Sequence, residues 1–206
     1  MRLEKHWQRS TYRRIATVSV LWLSWATVAT GATPADARLA GSWVLVEGAS
    51  DNFDAAMTTY IAASRERQTQ RRVRRLSDIE QIAGAQDDVP PEEAERTRTR
   101  LIEAFKPTAN LLVVLNGESL TVTTADGLSR SYTLEENATR MDSSGVATVS
   151  ARWSGSALVI RSKYTNKAMH SQQLSLDRTG NILTVLLLVK DPSSAQLQIN
   201  STYRRE

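Results

Sequence analysis

The sequence ATVSARWSGSALVIRSKY, residues 147–164, shows the pattern that decides the fold. Apolar side chains recur at every second position on both sides of Ser154-Gly155, with polar side chains between them. Such alternation is typical of a strand with one buried and one solvated face. A Ser-Gly step between two such runs indicates a tight connection. The stretch is therefore predicted to form two antiparallel strands joined by a hairpin turn.

The same pattern extends over residues 111–204. Turn motifs, of which Asn116-Gly117 is the strongest, follow one another about every 8–12 residues. Residues 182–189 are apolar on both faces, which predicts a strand covered on both sides. No segment of this stretch has the length and period of a crossover helix. We predict a mainly β fold, an antiparallel meander closing to a barrel of about 8–10 strands. An open sheet or sandwich is the alternative.

The first 37 residues have the features of an export signal. A basic start precedes an apolar run at residues 15–29, and Ala35-Asp36-Ala37 supplies a small-x-small cleavage site. The run is shorter than the ~20 residues that span a bilayer. Residues 1–37 are therefore predicted to be a cleaved signal peptide, with an uncleaved anchor helix as the alternative. We expect residues 38–206 to form a single domain without a transmembrane segment, in the periplasm or outside the cell.

Charge and residue types limit the chemistry. Five of the 26 basic residues and two of the 22 acidic residues lie in residues 1–37, so the formal charge falls from +4 to +1 in the mature chain. A nearly neutral chain argues against a bulk electrostatic role with nucleic acid. The mature chain has no cysteine, a single histidine (His170), and no phosphate loop or nucleophile elbow. We predict no enzyme activity, no metal and no cofactor. An enzyme built on distant carboxylates is the alternative.

Residues 39–46, LAGSWVLV, place Gly41-x-Trp43 at the start of an alternating strand. This motif resembles the opening of lipocalin-type barrels, where the tryptophan plugs one end and an arginine near the end of the last strand lies over its ring. The resemblance implies that Trp43 and Arg204 close the barrel. A guanidinium over an indole face contributes roughly 0.5–2 kcal/mol.

Three longer segments, residues 39–57, 151–160 and 175–185, resemble a narrower group. This is an uncharacterised family of secreted bacterial lipocalin-like (Gly-x-Trp) β-barrel proteins with an Arg-rich helical insertion after the first strand. The resemblance implies a lipocalin-like barrel for most of the mature chain. Its motifs are glycines, tryptophans and turn residues, which specify a fold and no chemistry. The Thr-Asp-Tyr motif of lipocalins is absent.

Residues 54–106 interrupt the β pattern and are predicted to form an α-helical hairpin, with Asp54 as the first N-cap. Two placements are open, because the hairpin can cover the outward side of residues 182–189 or cap the barrel mouth. Its arginines either form a patch for an anionic envelope lipid or protein, or lie on a solvated helix face paired with acids. These residues are Arg65, Arg67, Arg71, Arg72, Arg74 and Arg75.

The sequence therefore predicts an exported, non-enzymatic β-barrel that binds a small apolar ligand of unspecified identity. Inward-facing side chains would line the site by shape and desolvation. The alternative is a structural or interaction module of the cell envelope that uses the Arg-rich insertion as its contact surface. A barrel of about eight strands is either filled or holds one small ligand, and the sequence leaves that choice open. The predicted lining residues are Val149, Ala151, Leu158, Ile160, Tyr164 and Leu174.

Overall fold

The computed structural model describes residues 38–78, 99–142, 144–192 and 194–206, with the backbone alone at residues 72 and 75–78. The predicted signal peptide and residues 79–98 of the insertion lie outside these ranges. After two helical residues, 38–39, the described chain forms ten strands, one 3-10 helix (Glu47–Ala49) and two longer α-helical segments, α1 (Phe53–Asp78) and α2 (residues 99–105). The strands are β1 (Gly41–Leu45), β2 (Asn110–Asn116), β3 (Ser119–Thr124), β4 (Ser129–Thr133), β5 (Asn137–Asp142), β6 (Gly145–Ser154), β7 (Ala157–Tyr164), β8 (Met169–Leu176), β9 (Ile182–Lys190) and β10 (Gln196–Arg205).

All ten strands belong to one antiparallel meander. The sheet runs from β4 through β3, β2 and β1 to β10, and then through β9, β8, β7 and β6 to β5. The pairing of β1 with β10 joins the first and last of these strands. Within the described residues, β4 and β5 share no ladder, and a parallel bridge between Leu134 and Ala151 links their side of the barrel instead. The predicted antiparallel barrel with a helical insertion after the first strand is confirmed, and the open-sheet or sandwich alternative is wrong.

Two tight hairpins set the register of the strands. In the β2–β3 and β6–β7 hairpins the first loop residue is a glycine with positive φ, Gly117 at +58° and Gly155 at +61°. Glycine occupies this region without the Cβ penalty of other residues. A one-residue slip would turn every apolar side chain outward, so these turns fix which residues face the barrel interior.

One end of the barrel is closed by Trp43. Its side chain is fully buried in a cluster of apolar side chains from seven strands, and its Nε1 donates to the carbonyl of Leu39 at 3.1 Å. The guanidinium carbon of Arg205 lies 4.4 Å from the Trp43 ring centroid. Arg205 also donates to the carbonyls of Ala40 at 3.0 Å and Gly180 at 3.2 Å. This arginine therefore joins the start of the barrel to its last strand and to the β8–β9 turn.

The predicted partner of Trp43, Arg204, is wrong by one residue. Trp43 pairs across the sheet with Arg205, whereas Arg204 pairs with Val44 and is exposed on the outer face. Directly opposed residues share a face of the sheet, so only Arg205 reaches the indole. The backbone at Gly41 leaves room for it, because a Cβ there would lie 2.5 Å from the Arg205 Nη1.

The helices cap the other end of the barrel. Met57, Tyr60 and Leu101 pack against inward side chains near the ends of β9 and β10, among them Leu187 and Ile199. The helical insertion therefore caps the mouth, and the alternative placement over the outward side of residues 182–189 is wrong. In the described ranges no helix is both long and apolar enough to cross a membrane.

The start of α1 also differs from the prediction. The helix begins at Phe53, and the Asn52 side-chain oxygen accepts a hydrogen bond from the Ala55 N–H at 3.0 Å. Asn52 is therefore the N-cap, and Asp54 lies inside the first turn. Asparagine and aspartate are equally good caps, so side-chain type alone does not distinguish the two positions.

Replacing Arg205 should weaken the closed end of the barrel. Arg205→Ala removes the contact with Trp43 and the hydrogen bonds to Ala40 and Gly180. We expect the free energy of unfolding to fall by about 1–3 kcal/mol, measured by urea denaturation followed by circular dichroism. Arg204→Ala is the matched control and should change it by less than about 0.5 kcal/mol. Equal effects of the two substitutions would contradict the assignment.

Candidate ligand-binding site

A cavity of about 370 Å³ lies inside the barrel, beneath α2. Its volume falls within the roughly 300–1,000 Å³ typical of small-molecule sites. A smaller space of about 70 Å³ extends it toward β9 and β10, and Phe105, Arg130, Ile160 and Gln172 line both. A third space of about 160 Å³ lies between β4 and β5 and shares Tyr132 with the main cavity. The three spaces are thus neighbours that share part of their lining, from the β4–β5 side to β10.

The predicted lining residues divide among these spaces. Val149, Ile160 and Tyr164 line the main cavity. Leu174 lines the inner extension, and Ala151 lines the space between β4 and β5.

Leu158 was predicted to line the site, and this prediction is wrong. It is fully buried in the Trp43 cluster, and none of the three spaces touches it. The reason is its height in the barrel, because Leu158 follows the β6–β7 turn by only a few residues and that end is filled. The alternation of apolar and polar residues predicts which face of the strand a side chain lies on. It does not predict where along the barrel axis the filled core ends and the cavity begins.

Polar side chains in the cavity were not predicted. Arg130 and Tyr132 lie opposite Val122 and Leu120 in the β3–β4 ladder, on the inward face. Arg140, His170 and Gln172 also line the cavity. The alternation that places Tyr132 inward also places Arg130 inward, so the inward position of Arg130 follows from the sequence pattern. A charged residue is rarely inside a barrel, which is why the position was not recognised.

His170 lies under α2 in a group of aromatic rings. Its ring centroid is 4.7 Å from that of Phe105 on α2 and 4.6 Å from that of Tyr164 on β7. Burial lowers the pKa of His170 below its ordinary value of 6.5, although Asp142 and Asp191 act in the opposite direction. The imidazole is therefore neutral at pH 7 and packs as part of the apolar contact between helix and barrel.

Two tyrosine hydroxyls of the interior are held in their protonated form. The Tyr164 hydroxyl donates to Asp142 at 2.7 Å, and burial together with this carboxylate raises the pKa of Tyr164 far above 10. Burial raises the pKa of Tyr203, in the inner extension, to about 12. Both hydroxyls therefore stay protonated at neutral pH. The described residues contain no cluster of three or more groups able to hold a metal ion.

The predicted arginine patch lies on α1 and away from the cavity lining. Arg65, Arg67, Arg71 and Arg74 are exposed, and Arg67 donates to the backbone carbonyl of Ser194 at 3.1 Å. Arg72 belongs to the same helix, as does Arg75. The last buried residue of α1 with a described side chain is Ser64, so the arginines follow the part that packs on the barrel.

Neither the protein-family models nor the curated proteins contain a match to this chain. Solved structures do show similarity. A protein described as the REP1-NXSQ fatty acid transporter has 17% identity and a TM-score of 0.45, covering 82% of this chain and 97% of its own. Secretory abundant heat soluble protein 4 from Ramazzottius varieornatus has 10% identity and a TM-score of 0.46, covering 82% and 95%. Zebrafish ileal bile acid-binding protein, complexed with cholic acid, has 11% identity and a TM-score of 0.44, covering 82% and 99%.

The lowered pKa of His170 predicts a dependence of stability on pH. Between the folded-state pKa and 6.5, the folded protein binds fewer protons at this site than the unfolded chain does. The contribution of the neutral His170 to the free energy of unfolding is therefore fully present above pH 6.5. It is lost as the pH falls toward the folded-state pKa, by no more than about 1.4 kcal/mol per pH unit. His170→Gln should lack this component.

The measurement compares the unfolding free energies of wild type and His170→Gln from pH 7.5 to 5. Both proteins share the same carboxylates, so their difference isolates the imidazole. A difference that stays constant over this range would contradict the burial of a neutral His170.

Proposed function

We propose that this protein is a non-enzymatic carrier that holds one small, largely apolar ligand inside the barrel. The observation that supports this function is the pair of adjoining interior spaces, of about 370 Å³ and 70 Å³, beneath α2. The closed end at Trp43 is filled by side chains, and so the space is confined to the half of the barrel that the helices cap. A filled barrel would offer no such site.

The lining of the cavity supports binding by shape and desolvation. Leu174, Val185, Leu187 and Ile199 surround the inner extension, where an apolar group is removed from water. Each Å² of apolar surface buried there contributes about 25 cal/mol. The main cavity adds the hydroxyls, amide and guanidinium groups of its rim, which orient a polar end. The tight aromatic contact of Phe105 with His170 shields this space from above.

The proposal includes export of the protein. The basic start, the apolar run at residues 15–29 and the cleavage motif Ala35-Asp36-Ala37 support a signal peptide and a periplasmic or extracellular location. The described β domain contains no disulfide, because the chain has no cysteine. Its stability therefore rests on the two main apolar clusters. Membership in the secreted bacterial family with an Arg-rich insertion belongs to the same proposal.

The rival function is an envelope contact made by α1. Its support is the run of exposed arginines, Arg65, Arg67, Arg71 and Arg74, on the part of the helix beyond Ser64. A surface of one charge sign attracts anionic partners, and this attraction weakens as salt screens it. Binding of an apolar ligand and this contact are independent, because the arginines do not line the cavity.

The carrier function is tested by filling the cavity. Ser162 lines the main cavity, so Ser162→Phe places a ring in the space a ligand would occupy. We expect its affinity for apolar fluorescent probes to fall at least about tenfold, which corresponds to a loss of roughly 1.4 kcal/mol in binding free energy. Titration of probe fluorescence measures the affinity. Native mass spectrometry of wild type purified without detergent should show an added mass that organic extraction removes.

Gln173→Phe is the matched control, because Gln173 is exposed on the outer face of the same barrel wall. It adds the same ring outside the cavity and should leave probe affinity unchanged. If both variants bind the probes as wild type does, the cavity is not the binding site. If wild type carries no added mass and binds no probe, the carrier function is wrong and the α1 surface becomes the leading candidate.

A further inference from the structure

Arg130 on β4 places a cation in the wall of the cavity. The side chain of Arg130 is partly buried and lines both the main cavity and its inner extension. Within the described part of the chain its guanidinium forms no hydrogen bond and no ion pair. A guanidinium presents five donors in a planar fork that matches an anionic oxygen pair. Such a group facing the cavity has donors available for a ligand.

Two of the nearby carboxylates accept hydrogen bonds from other groups, and a third, Glu103 on α2, also lines the main cavity. Asp126 Oδ1 accepts hydrogen bonds from the Thr124 hydroxyl at 2.5 Å and the Leu128 N–H at 3.2 Å. These two contacts are the main reason that the pKa of Asp126 is lowered, and the charge of Arg130 contributes least. Asp142, on the cavity rim, accepts from the Tyr164 hydroxyl at 2.7 Å and the Ser144 N–H at 2.7 Å. Neither Asp126 nor Asp142 neutralises Arg130 by direct contact.

The second arginine of this wall has a different role. Arg140 on β5 lies over the Tyr132 ring, 4.7 Å from its centroid, and donates to the Ser131 carbonyl on β4. It therefore bridges two strands that share no ladder in the described chain. Its charge adds to the positive potential on this side of the cavity, while its donors are partly used. Of the two arginines on β4 and β5 that line the cavity, Arg130 is therefore the one without a hydrogen bond in the described chain.

The far side of the interior carries a group of apolar side chains beside polar ones. The inner extension is bounded by Leu174, Val185, Leu187 and Ile199, and Arg130 stands at the junction between this space and the main cavity. A ligand with one anionic end at Arg130 can place its apolar part against these side chains. A ligand without a charged end would instead leave a guanidinium partly desolvated and unpaired, which is costly.

We infer that Arg130 forms an anion-binding subsite, and that the ligand class is an amphiphile with one anionic group, a carboxylate or a phosphate, on an apolar body. This inference rests on the proposed carrier function and adds the chemistry of the ligand to it. Arg140 and Tyr132 form the wall beside the subsite. A charge-assisted, bidentate contact is the stronger kind of hydrogen bonding, so the anionic end provides selectivity and the apolar body provides much of the affinity.

The test uses the full chain and four probes: dodecanoate, dodecyl phosphate, dodecan-1-ol and inorganic phosphate, each below its micellar concentration where one exists. Binding is measured by isothermal titration calorimetry. Wild type should bind the two anionic amphiphiles about 10- to 100-fold more tightly than the alcohol, the range expected for a hydrogen bond to a charged group. Inorganic phosphate alone should not bind measurably.

The variants are Arg130→Gln and Arg130→Lys, with Arg161→Gln as control because Arg161 is exposed on the outer face of β7. Arg130→Gln should lose the preference for the anionic amphiphiles, and it should bind dodecan-1-ol at least as tightly as wild type does, because no guanidinium is then left unpaired. Arg130→Lys keeps the charge but not the fork, so it should retain part of the preference. Arg161→Gln should match wild type with every probe. Thermal unfolding establishes that each variant is folded.

The outcomes separate this inference from the carrier function. If wild type binds dodecan-1-ol as tightly as the anionic probes, the carrier function stands and the anion subsite is wrong. The subsite is also wrong if Arg130→Gln weakens all three amphiphiles equally, or if inorganic phosphate binds as tightly as dodecyl phosphate. If no amphiphile binds to wild type, the carrier function itself is wrong.

Discussion

The pairing of β1 with β10 is the constraint on which the rest of the structure depends. It brings residues 41–45 against residues 203–205, so the two ends of the described chain meet in one ladder. An isolated sheet of ten strands would expose apolar faces and edges, and closure removes most of that exposure. Trp43 and Arg205 hold this joint, because the indole fills the closed end and the guanidinium ties it to the carbonyls of Ala40 and Gly180. The inward faces of the remaining eight strands are then directed at a common interior.

The barrel is closed by different means at its two ends. At the Trp43 end, side chains from many strands fill the interior completely. At the other end α1 and α2 provide the cover, with Met57, Tyr60 and Leu101 over the ends of β9 and β10. The Ser64 hydroxyl accepts the Ala195 N–H at 3.0 Å and so fixes α1 to the β9–β10 turn. The helices lie across the mouth of the barrel, so their side chains leave part of the interior unfilled. The cavity beneath α2 is this unfilled part.

The polar interior places charge where desolvation is costly. Arg130 and Arg140 line the wall beside the β4–β5 discontinuity, where the space between strands lets polar groups reach each other and solvent. His170 lies under the helices, stays neutral and packs against Phe105. The buried imidazole is neutral because desolvation penalises its charged form.

The sequence by itself predicted the strands, their inward faces and the helical insertion. Alternation over residues 147–164 and glycines at the turns carry this information locally, because a strand's two faces follow from a period of two. Met57, Tyr60 and Ser64 likewise share the buried face that the helical period predicts. The same alternation placed Arg130 inward, but the rarity of buried charge concealed its meaning.

The tertiary structure alone decided the closing partner, the position of the helices and the extent of the cavity. Arg205 rather than Arg204 meets Trp43 because the register between β1 and β10 is a long-range property that no local pattern contains. Leu158 lies in the filled core, whereas Ile160, two residues later on the same face, also lines the cavity. The height at which packing stops depends on the summed volumes of side chains from many strands. A local sequence pattern determines whether a side chain points into the barrel. Only the closed barrel determines whether that side chain lies in the filled core or lines the cavity.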